Sequence, residues 1–109
     1  MNLVQLLDAY ISCEKSSNTP RLIDLFNSNA RLIDPWGNLH IGRHEIKAFY
    51  NDFFRTMNIK HVGSEQLGES IKISYMVEGG KVQVPTRAIN YIKTKNGLVQ
   101  EAEIVLLKY

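Results

Sequence analysis

The stretch 27–42 holds the residues whose types and order could do chemistry. At its centre an apolar pair, Leu32 and Ile33, precedes Asp34, which is followed by Pro35, Trp36 and a glycine. A strand that ends in this way can hold a carboxylate at the mouth of an apolar pocket, where burial raises the pKa towards that of a useful base. The structural alternative is a turn, because Asp-Pro often opens one.

Acid–base chemistry at Asp34 requires apolar neighbours, since a fully solvated carboxylate is too weak a base. The candidates for those neighbours are Trp36, Phe53 and Met57. A base held in this way could take a proton from a carbon beside a carbonyl group, which typically contributes about 10²–10⁴-fold to a rate. Trp36 has a second possible role as a cover for the turn.

Metal binding and nucleophilic catalysis have less support in the sequence. His40 and His44 would share a face only on one continuous helix, and Gly42 lies between them. Surface roles are therefore predicted for these two and for His61. Cys13 is predicted to be a small buried apolar residue, with no group to activate it. No cofactor and no metal are predicted.

The composition limits the class of protein. The chain has 109 residues, of which 44% are hydrophobic and 22% charged, as expected of one globular domain spanning 1–109. Its formal net charge of +2 and the lack of any basic run argue against nucleic acid as a partner. No apolar segment is long enough to cross a membrane, and the first residues do not resemble a secretion signal. With a single cysteine, a cytoplasmic location is expected.

Three helices are predicted before the second half of the chain. Five residues near the start recur at helical spacing and form one apolar face: Leu3, Leu6, Leu7, Tyr10 and Ile11. Asp8, Glu14 and Lys15 are predicted to lie off that face. Thr19 and Pro20 form an N-cap and first-turn pair for a short second helix. A third helix follows Gly42, with its apolar face on Ile46, Phe49, Tyr50, Phe53, Phe54 and Met57.

The remaining segments alternate as strands do. A short strand is predicted at 30–33, and others at 61–68, 71–77 and 98–109, with tight turns at Gly79-Gly80 and Asn96-Gly97. Val82 and Val84 have the opposite parity to Ile89 and Tyr91, which predicts one extra residue, a β-bulge, near Pro85. The fold class is therefore α+β, with three helices from the N-terminal side packed on a strongly bent antiparallel sheet. The concave side of such a sheet is a natural pocket.

Along its whole length the chain resembles the NTF2-like cone proteins of the SnoaL-like and ketosteroid-isomerase group. The resemblance rests on Tyr10 in the first helix, on LFNSNARLIDPWG at 25–37, and on Gly42 with the helix EIKAFYNDFF at 45–54. The strand meander with its Asn96-Gly97 turn agrees with it.

The resemblance implies roles for three residues. In the isomerases a tyrosine of the first helix supplies the oxyanion hydrogen bond, and an aspartate before a proline is the base. Tyr10 and Asp34 match these positions, with the family's separation of twenty-four residues between them. Tyr50 matches the tyrosine of the third helix that supports the oxyanion tyrosine.

One element of the isomerase site has no counterpart in this sequence. The isomerases carry a protonated aspartate on the sheet, two residues after a proline. The position after Pro85 is Arg87, or Ala88 or Asn90 if the bulge shifts the register, and none of these is an acid. Arg87 could pair with Asp34, bind a substrate oxygen, or point into solvent. Asn90 could act as a neutral donor or be an ordinary strand residue.

Three functions follow from the residues and the resemblance together. The first is allylic isomerisation of a small apolar carbonyl compound, with Asp34 as base and Tyr10 as oxyanion donor. The second is a non-catalytic module that binds small ligands or associates with other chains. The third is cyclisation or dehydration of a polyketide-like compound, and a dehydratase-like mechanism would require a histidine facing the pocket.

A homodimer through the sheet is also expected. Val105, Leu107 and Tyr109 share the outer face of the last strand with Glu101 and Glu103. An apolar end on an outer face indicates a partner surface, and related cone proteins commonly dimerise in this way.

Overall fold

A computed structural model describes residues 1–107 of the chain. Three helices and six strands follow one another in the order α1 (Leu3–Lys15), α2 (Thr19–Ile23), β1 (Phe26–Ile33), β2 (Leu39–Ile41), α3 (Gly42–Thr56), β3 (Asn58–Leu67), β4 (Ser70–Gly79), β5 (Val82–Lys95) and β6 (Leu98–Leu106). The predicted order, with two helices and a short strand before the third helix and a strand meander after it, is confirmed; a second short strand, β2, pairs with the first. Among the described residues, no helix is both long and apolar enough to span a membrane.

The first two helices begin at asparagine caps. The side chain of Asn2 accepts a hydrogen bond from the backbone of Gln5, whose side chain accepts one from the backbone of Asn2, so α1 begins with a reciprocal capping box. For α2 the predicted N-cap, Thr19, is wrong by one position: the side chain of Asn18 caps the helix, and Thr19 is its first residue. Thr19 is buried instead.

The sheet is curled and open, with strand order β2-β1-β6-β5-β4-β3. Four of its five strand pairs are antiparallel, as predicted, but β1 pairs with β6 in parallel. The parallel pair arises because α3 and the meander separate β1 from β6, so that the last strand returns beside the first. The α+β cone predicted from the sequence is confirmed, with this correction to a wholly antiparallel sheet.

The predicted bulge in β5 has a different size and position. Opposite Glu78 alone, β5 has three residues, 83–85, so that the strand carries two extra residues before Thr86 rather than one after Val84. Two extra residues preserve parity. Val82 therefore shares the inner face with Ala88 and Ile92, while Val84 is exposed. Ile89, whose parity indicated the bulge, faces the other side of the sheet.

The core lies between the inner face of the sheet and the helices. Its largest fully buried side chains come from every layer: Leu6, Tyr10, Leu22, Phe26, Leu32, Ile46, Tyr50, Ile71, Ile73, Val77, Ile92 and Val99. Ile89 is buried but is not part of this cluster, as expected of a residue on the outer face. The packed core fixes α3 against β1 and β2, and this contact positions the site described next.

Candidate functional site

A tight turn between β1 and β2 positions the carboxylate of Asp34. The backbone N–H of Asp34 donates to the carbonyl of Asn38 at 2.9 Å, and the N–H of Gly37 donates to the carbonyl of Asp34 at 3.0 Å. Gly37 has φ +83°, a conformation that favours glycine. Alternate residues of β1 face the helices, so Asp34 lies on the same face as the buried Leu32.

The Asp34 side chain is 5% exposed and accepts four hydrogen bonds. Oδ1 accepts from the backbone N–H groups of Trp36 and Asn38, at 2.9 and 3.0 Å. Oδ2 accepts from Nδ2 of Asn38 at 3.2 Å and contacts Nε2 of His40 at 2.9 Å. Burial alone would raise the pKa of Asp34, but these hydrogen bonds to the charged form outweigh it and hold the pKa below its ordinary value. The prediction of a raised pKa is therefore wrong.

His40 lies next to Asp34 because β1 and β2 pair antiparallel, with His40 opposite Leu32. An ionised carboxylate can only accept, so the shared hydrogen belongs to Nε2 and, in the neutral ring, Nδ1 carries the free lone pair. Nδ1 has no hydrogen-bond partner within residues 1–107. The His40 ring also packs on Phe49, with centroids 5.1 Å apart. The sequence predicts only a surface role for His40, whereas its side chain is 22% exposed and bonded to Asp34.

A cavity of about 560 Å³ opens between this turn and α3. Helix α3 contributes one side of it, at positions three and four residues apart that lie on one face: Glu45, Ala48, Phe49, Asp52, Phe53 and Thr56. The turn and β2 contribute Asp34, Trp36, Asn38 and His40, and the hairpin between β4 and β5 contributes Gly80 and Lys81. Met57 completes the wall. The predicted neighbours of Asp34, namely Trp36, Phe53 and Met57, thus lie in one cavity with it.

Tyr10 and Tyr50 lie deeper, in the core between the helices and the sheet. Their hydroxyl groups share a hydrogen bond, and Nδ2 of Asn90 donates to the Tyr10 oxygen at 3.1 Å. Burial raises the pKa of Tyr10 and of Tyr50 far above the ordinary value. None of the three residues lines the cavity that contains Asp34.

The two halves of the predicted isomerase site are therefore not brought together. A flat carbonyl compound in the cavity would touch Asp34 but not Tyr10 or Asn90, because these two are at most 1% exposed and bonded to each other. The oxyanion role predicted for Tyr10 has no access to the cavity in this structure.

Arg87 lies on the other face of the sheet. It is exposed and its parity in β5 is opposite to that of Ala88 and Asn90, which point inwards. It forms no ion pair with Asp34, and the Arg87 side chain does not line the cavity. Of the three alternatives that the sequence leaves open for Arg87, the structure agrees with the side chain that points into solvent.

A second polar cluster, centred on Glu14, lies inside the cone. The hydroxyl of Tyr75 donates to both carboxylate oxygens, at 2.8 and 3.0 Å, and Nε2 of His61 lies 3.1 Å from Oε1. The sequence predicts Glu14 to lie off the apolar face of α1, and this prediction is wrong. Glu14 is one helical turn beyond Tyr10 and shares its buried side. The spacing of four residues between Tyr10 and Glu14 is the signal in the sequence that predicts a buried Glu14.

Sequence comparison identifies no relative of the chain: no protein-family model matches it, and no curated protein matches it. Comparison of structures gives clear matches. A candidate polyketide cyclase from Sinorhizobium meliloti superposes with a TM-score of 0.81 at 19% identity, over 92% of this chain and 93% of that one. A candidate ketosteroid isomerase from Kribbella flavida superposes with a TM-score of 0.82 at 14% identity, over 96% of this chain and 77% of that one.

An NTF2-like protein of unknown function from Burkholderia xenovorans matches with a TM-score of 0.81 at 14% identity, over 96% of this chain and 82% of that one. At these identities the likeness is one of fold, and the cavity chemistry must be argued from the residues of this chain. The chain has the NTF2-like fold that the ketosteroid-isomerase-like and polyketide-cyclase-like proteins share.

Proposed function

We propose that the cavity binds a small, largely apolar carbonyl compound and moves a proton on it, with His40 as the proton-accepting group. The observation that carries this proposal is the 2.9 Å contact between Nε2 of His40 and Oδ2 of Asp34 in the cavity wall. The carboxylate fixes the ring and stabilises its protonated form, as in other Asp–His pairs.

The pKa of Asp34 supports this division of roles. A carboxylate whose pKa is held low by four hydrogen bonds stays ionised but is a weak base. Imidazole, by contrast, is the side chain used most often as a general base, and its neutral form carries a free lone pair. Asp34, predicted from the sequence to be the base, is thus better suited to position His40. The apolar wall of Phe49, Phe53 and Met57 would hold the carbon skeleton of the ligand.

The experiment is hydrogen–deuterium exchange, followed by NMR, at the carbons beside the carbonyl group in a panel of cyclic ketones. The panel includes a β,γ-unsaturated ketone, whose double bond would migrate. We expect His40→Gln to lower the exchange rate about 10²-fold or more and Asp34→Asn to lower it less. His44→Gln is the matched control, because His44 is exposed on α3 and does not line the cavity.

Other outcomes would change the assignment. If Asp34→Asn abolishes exchange while His40→Gln retains it, Asp34 itself is the base, as in the isomerase-like mechanism. If ketones bind without any exchange, the protein is a non-catalytic ligand-binding module. The separation of the Tyr10–Asn90 pair from the cavity favours that second function, because the neutral oxyanion donors of the isomerase-like site are out of reach.

Cyclisation or dehydration of a polyketide-like compound is a further candidate, and one observation favours it. A dehydratase-like mechanism requires a histidine in the pocket, and His40 lines this cavity. The S. meliloti structure with the same fold is described as a candidate polyketide cyclase. Loss of water from a β-hydroxy ketone, measured by absorbance of the enone product, distinguishes this reaction from isomerisation.

A further inference from the structure

Lys81 lies at the mouth of the cavity, where two turns meet. It belongs to the hairpin between β4 and β5, and its Nζ lies 5.0 Å from the ring centroid of Trp36 in the turn between β1 and β2. A cation over an aromatic face is held electrostatically, most strongly by tryptophan. The Trp36 ring therefore keeps the Lys81 ammonium beside the cavity.

The acids of the cavity already have partners. Asp34 accepts four hydrogen bonds. Asp52 is paired with Arg55, and Glu45 accepts from the backbone N–H of Ile41 at 3.4 Å. The donor groups of Asn38 are likewise directed to Asp34.

Lys81 differs from these groups. Within residues 1–107 it takes part in no ion pair and no side-chain hydrogen bond. An ammonium group has three N–H donors and no acceptor, and the ring face of Trp36 offers none of them an oxygen. Of the charged groups in the cavity wall, Lys81 is thus the one whose hydrogen bonds remain to be made with a ligand.

We propose that Lys81 binds a negatively charged oxygen of the ligand, so that the cavity takes small apolar compounds that carry one anionic oxygen, such as a phenolate or an enolate. The inference deepens the proposed function and rests on it for the reaction. The apolar part of the ligand lies against Phe49, Phe53 and Met57. The three carboxylates of the wall disfavour a second negative charge on the ligand.

The proposal gives the proton transfer its missing oxyanion donor. The C–H bond beside the carbonyl breaks, its proton goes to the imidazole of His40, and the electron pair moves onto the carbonyl oxygen. Lys81 donates an N–H hydrogen bond to that oxygen and remains protonated. The proton then returns from His40 to a carbon of the same molecule. Lys81 thus takes the role that the sequence predicts for Tyr10.

The test uses 4-nitrophenol as the probe, because its phenolate absorbs visible light and its phenol form does not. We expect the wild-type protein to bind the phenolate in preference and to lower the pKa of the bound probe. Lys81→Met should weaken phenolate binding by about tenfold or more, the usual effect of losing a charged hydrogen bond, and should abolish the pKa shift. Lys81→Arg should retain both.

The controls separate charge at the cavity from charge elsewhere. Lys95→Met removes an exposed lysine that does not line the cavity, and it should leave the phenolate affinity unchanged. Trp36→Leu keeps Lys81 but removes the ring that holds it, and it should weaken phenolate binding.

Three results would overturn the inference. The first is an unchanged phenolate affinity and probe pKa in Lys81→Met, and the second is no binding of 4-nitrophenol to the wild type. The third is that Lys81→Met binds tetramethylammonium more tightly than the wild type does and keeps its phenolate affinity. The ring face of Trp36 would then be a binding site for cations. The proposed function fails separately: phenolate binding that depends on Lys81, without ketone exchange that depends on His40, leaves a binding protein for organic anions.

Discussion

At the scale of single residues, two buried carboxyl groups show how hydrogen bonds and burial compete. Asp34 accepts four hydrogen bonds, two of them from backbone N–H groups, and its pKa lies below the ordinary value. Glu14 has a side chain 2% exposed, and burial raises its pKa although His61 and Tyr75 contact it. Burial therefore sets the direction of the pKa shift of Glu14, while hydrogen bonds set that of Asp34.

The raised pKa of Glu14 predicts a pH dependence of stability. Between the pKa of an unfolded glutamate, about 4.3, and the higher folded value, the folded state binds more protons, so stability falls as the pH rises. Glu14→Gln should remove this decrease. Urea unfolding across that pH range measures it, with the exposed Glu65→Gln as control. The groups that face Glu14, His61 and Tyr75, are the same in both variants. An equal slope in both would show that Glu14 titrates normally.

Tyr10→Phe separates a structural role from an oxyanion role. The hydroxyl of Tyr10 bonds Tyr50 and Asn90 in the core, so its loss leaves their buried polar groups unpaired and should cost about 1–3 kcal/mol of unfolding free energy. Because Tyr10 does not line the cavity, 4-nitrophenol affinity should not change. Tyr91→Phe, at an exposed site, is the control. A large loss of affinity with little loss of stability would restore the isomerase-like assignment.

The site could be predicted from the sequence only in part. The turn at Asp34 and its apolar neighbours follow from local spacing, since Phe49 and Phe53 repeat along one helix. His40 is six residues from Asp34, and the two meet only because β2 pairs with β1. Lys81 and Trp36 are forty-five positions apart in the sequence, so no local sequence pattern predicts their contact.

At the scale of elements, the hairpin between β4 and β5 depends on a glycine. Gly79 has φ +126°, and a Cβ built there would lie 2.3 Å from the carbonyl oxygen of Thr56, at the end of α3. Gly79→Ala therefore strains the backbone and collides with a main-chain atom. We expect a loss of about 2 kcal/mol or more in urea unfolding, together with weaker phenolate binding because Lys81 moves with the hairpin.

The control for that substitution is Gly63→Ala in β3. A Cβ there has no atom within 4 Å, and Gly63 does not have a positive φ. The substitution should leave both stability and phenolate affinity near the wild-type values. If Gly79→Ala behaves in the same way, the hairpin does not depend on its close approach to α3.

Helices and strands with a regular repeat of apolar residues are easier to predict from the sequence than the insertions that interrupt them. The apolar stripe of α3 repeats over four turns, and the helix begins at Gly42, one residue before the predicted start. The predicted insertion in β5 is misplaced because the parity argument requires Ile89 and Tyr91 to share a face with Val82 and Val84, and they do not. Asn90, a polar residue that the core accepts through its bond to Tyr10, lies on the inner face instead. A pattern of alternating apolar residues predicts the buried face of a strand only when the buried residues are apolar. In β5 a polar residue, Asn90, is buried, so the pattern indicates the wrong face.

At the scale of the whole molecule, the cone was predictable and its open space was not. The order of helices and strands fixes the fold, which the structural relatives share. Whether a gap stays open depends on the volumes of side chains from several elements. Tyr10, Tyr50 and Phe53 pack together with the sheet in the interior, where only about 10 Å³ remains beside Glu14. The larger cavity lies outside that core, between α3 and the two turns.

The outer face of the sheet carries the last expectation, a homodimer. A groove of about 310 Å³ lies there. Four of its apolar residues are well exposed: Ile33, Leu39, Leu67 and Tyr91. Charges of both signs also line it, among them Lys93 and Glu101. An exposed apolar surface that is surrounded by positive and negative side chains is typical of an interface between two copies of a chain. Val105 and Leu107, on which the expectation from the sequence rests, are half-buried, and Tyr109 lies outside the described residues.

We expect the protein to sediment at twice the mass of one chain in analytical ultracentrifugation. Tyr91→Glu should shift it to the monomer, because a two-fold axis brings two copies of a patch together and two buried carboxylates would repel each other. Val84→Glu is the matched control, since Val84 is 67% exposed but does not line the groove. A wild-type monomer at high concentration would contradict the dimer itself. A dimer that survives Tyr91→Glu would place the contact elsewhere. Because the cavity that contains Asp34 lies on the helix side, Tyr91→Glu should leave phenolate binding intact in either case.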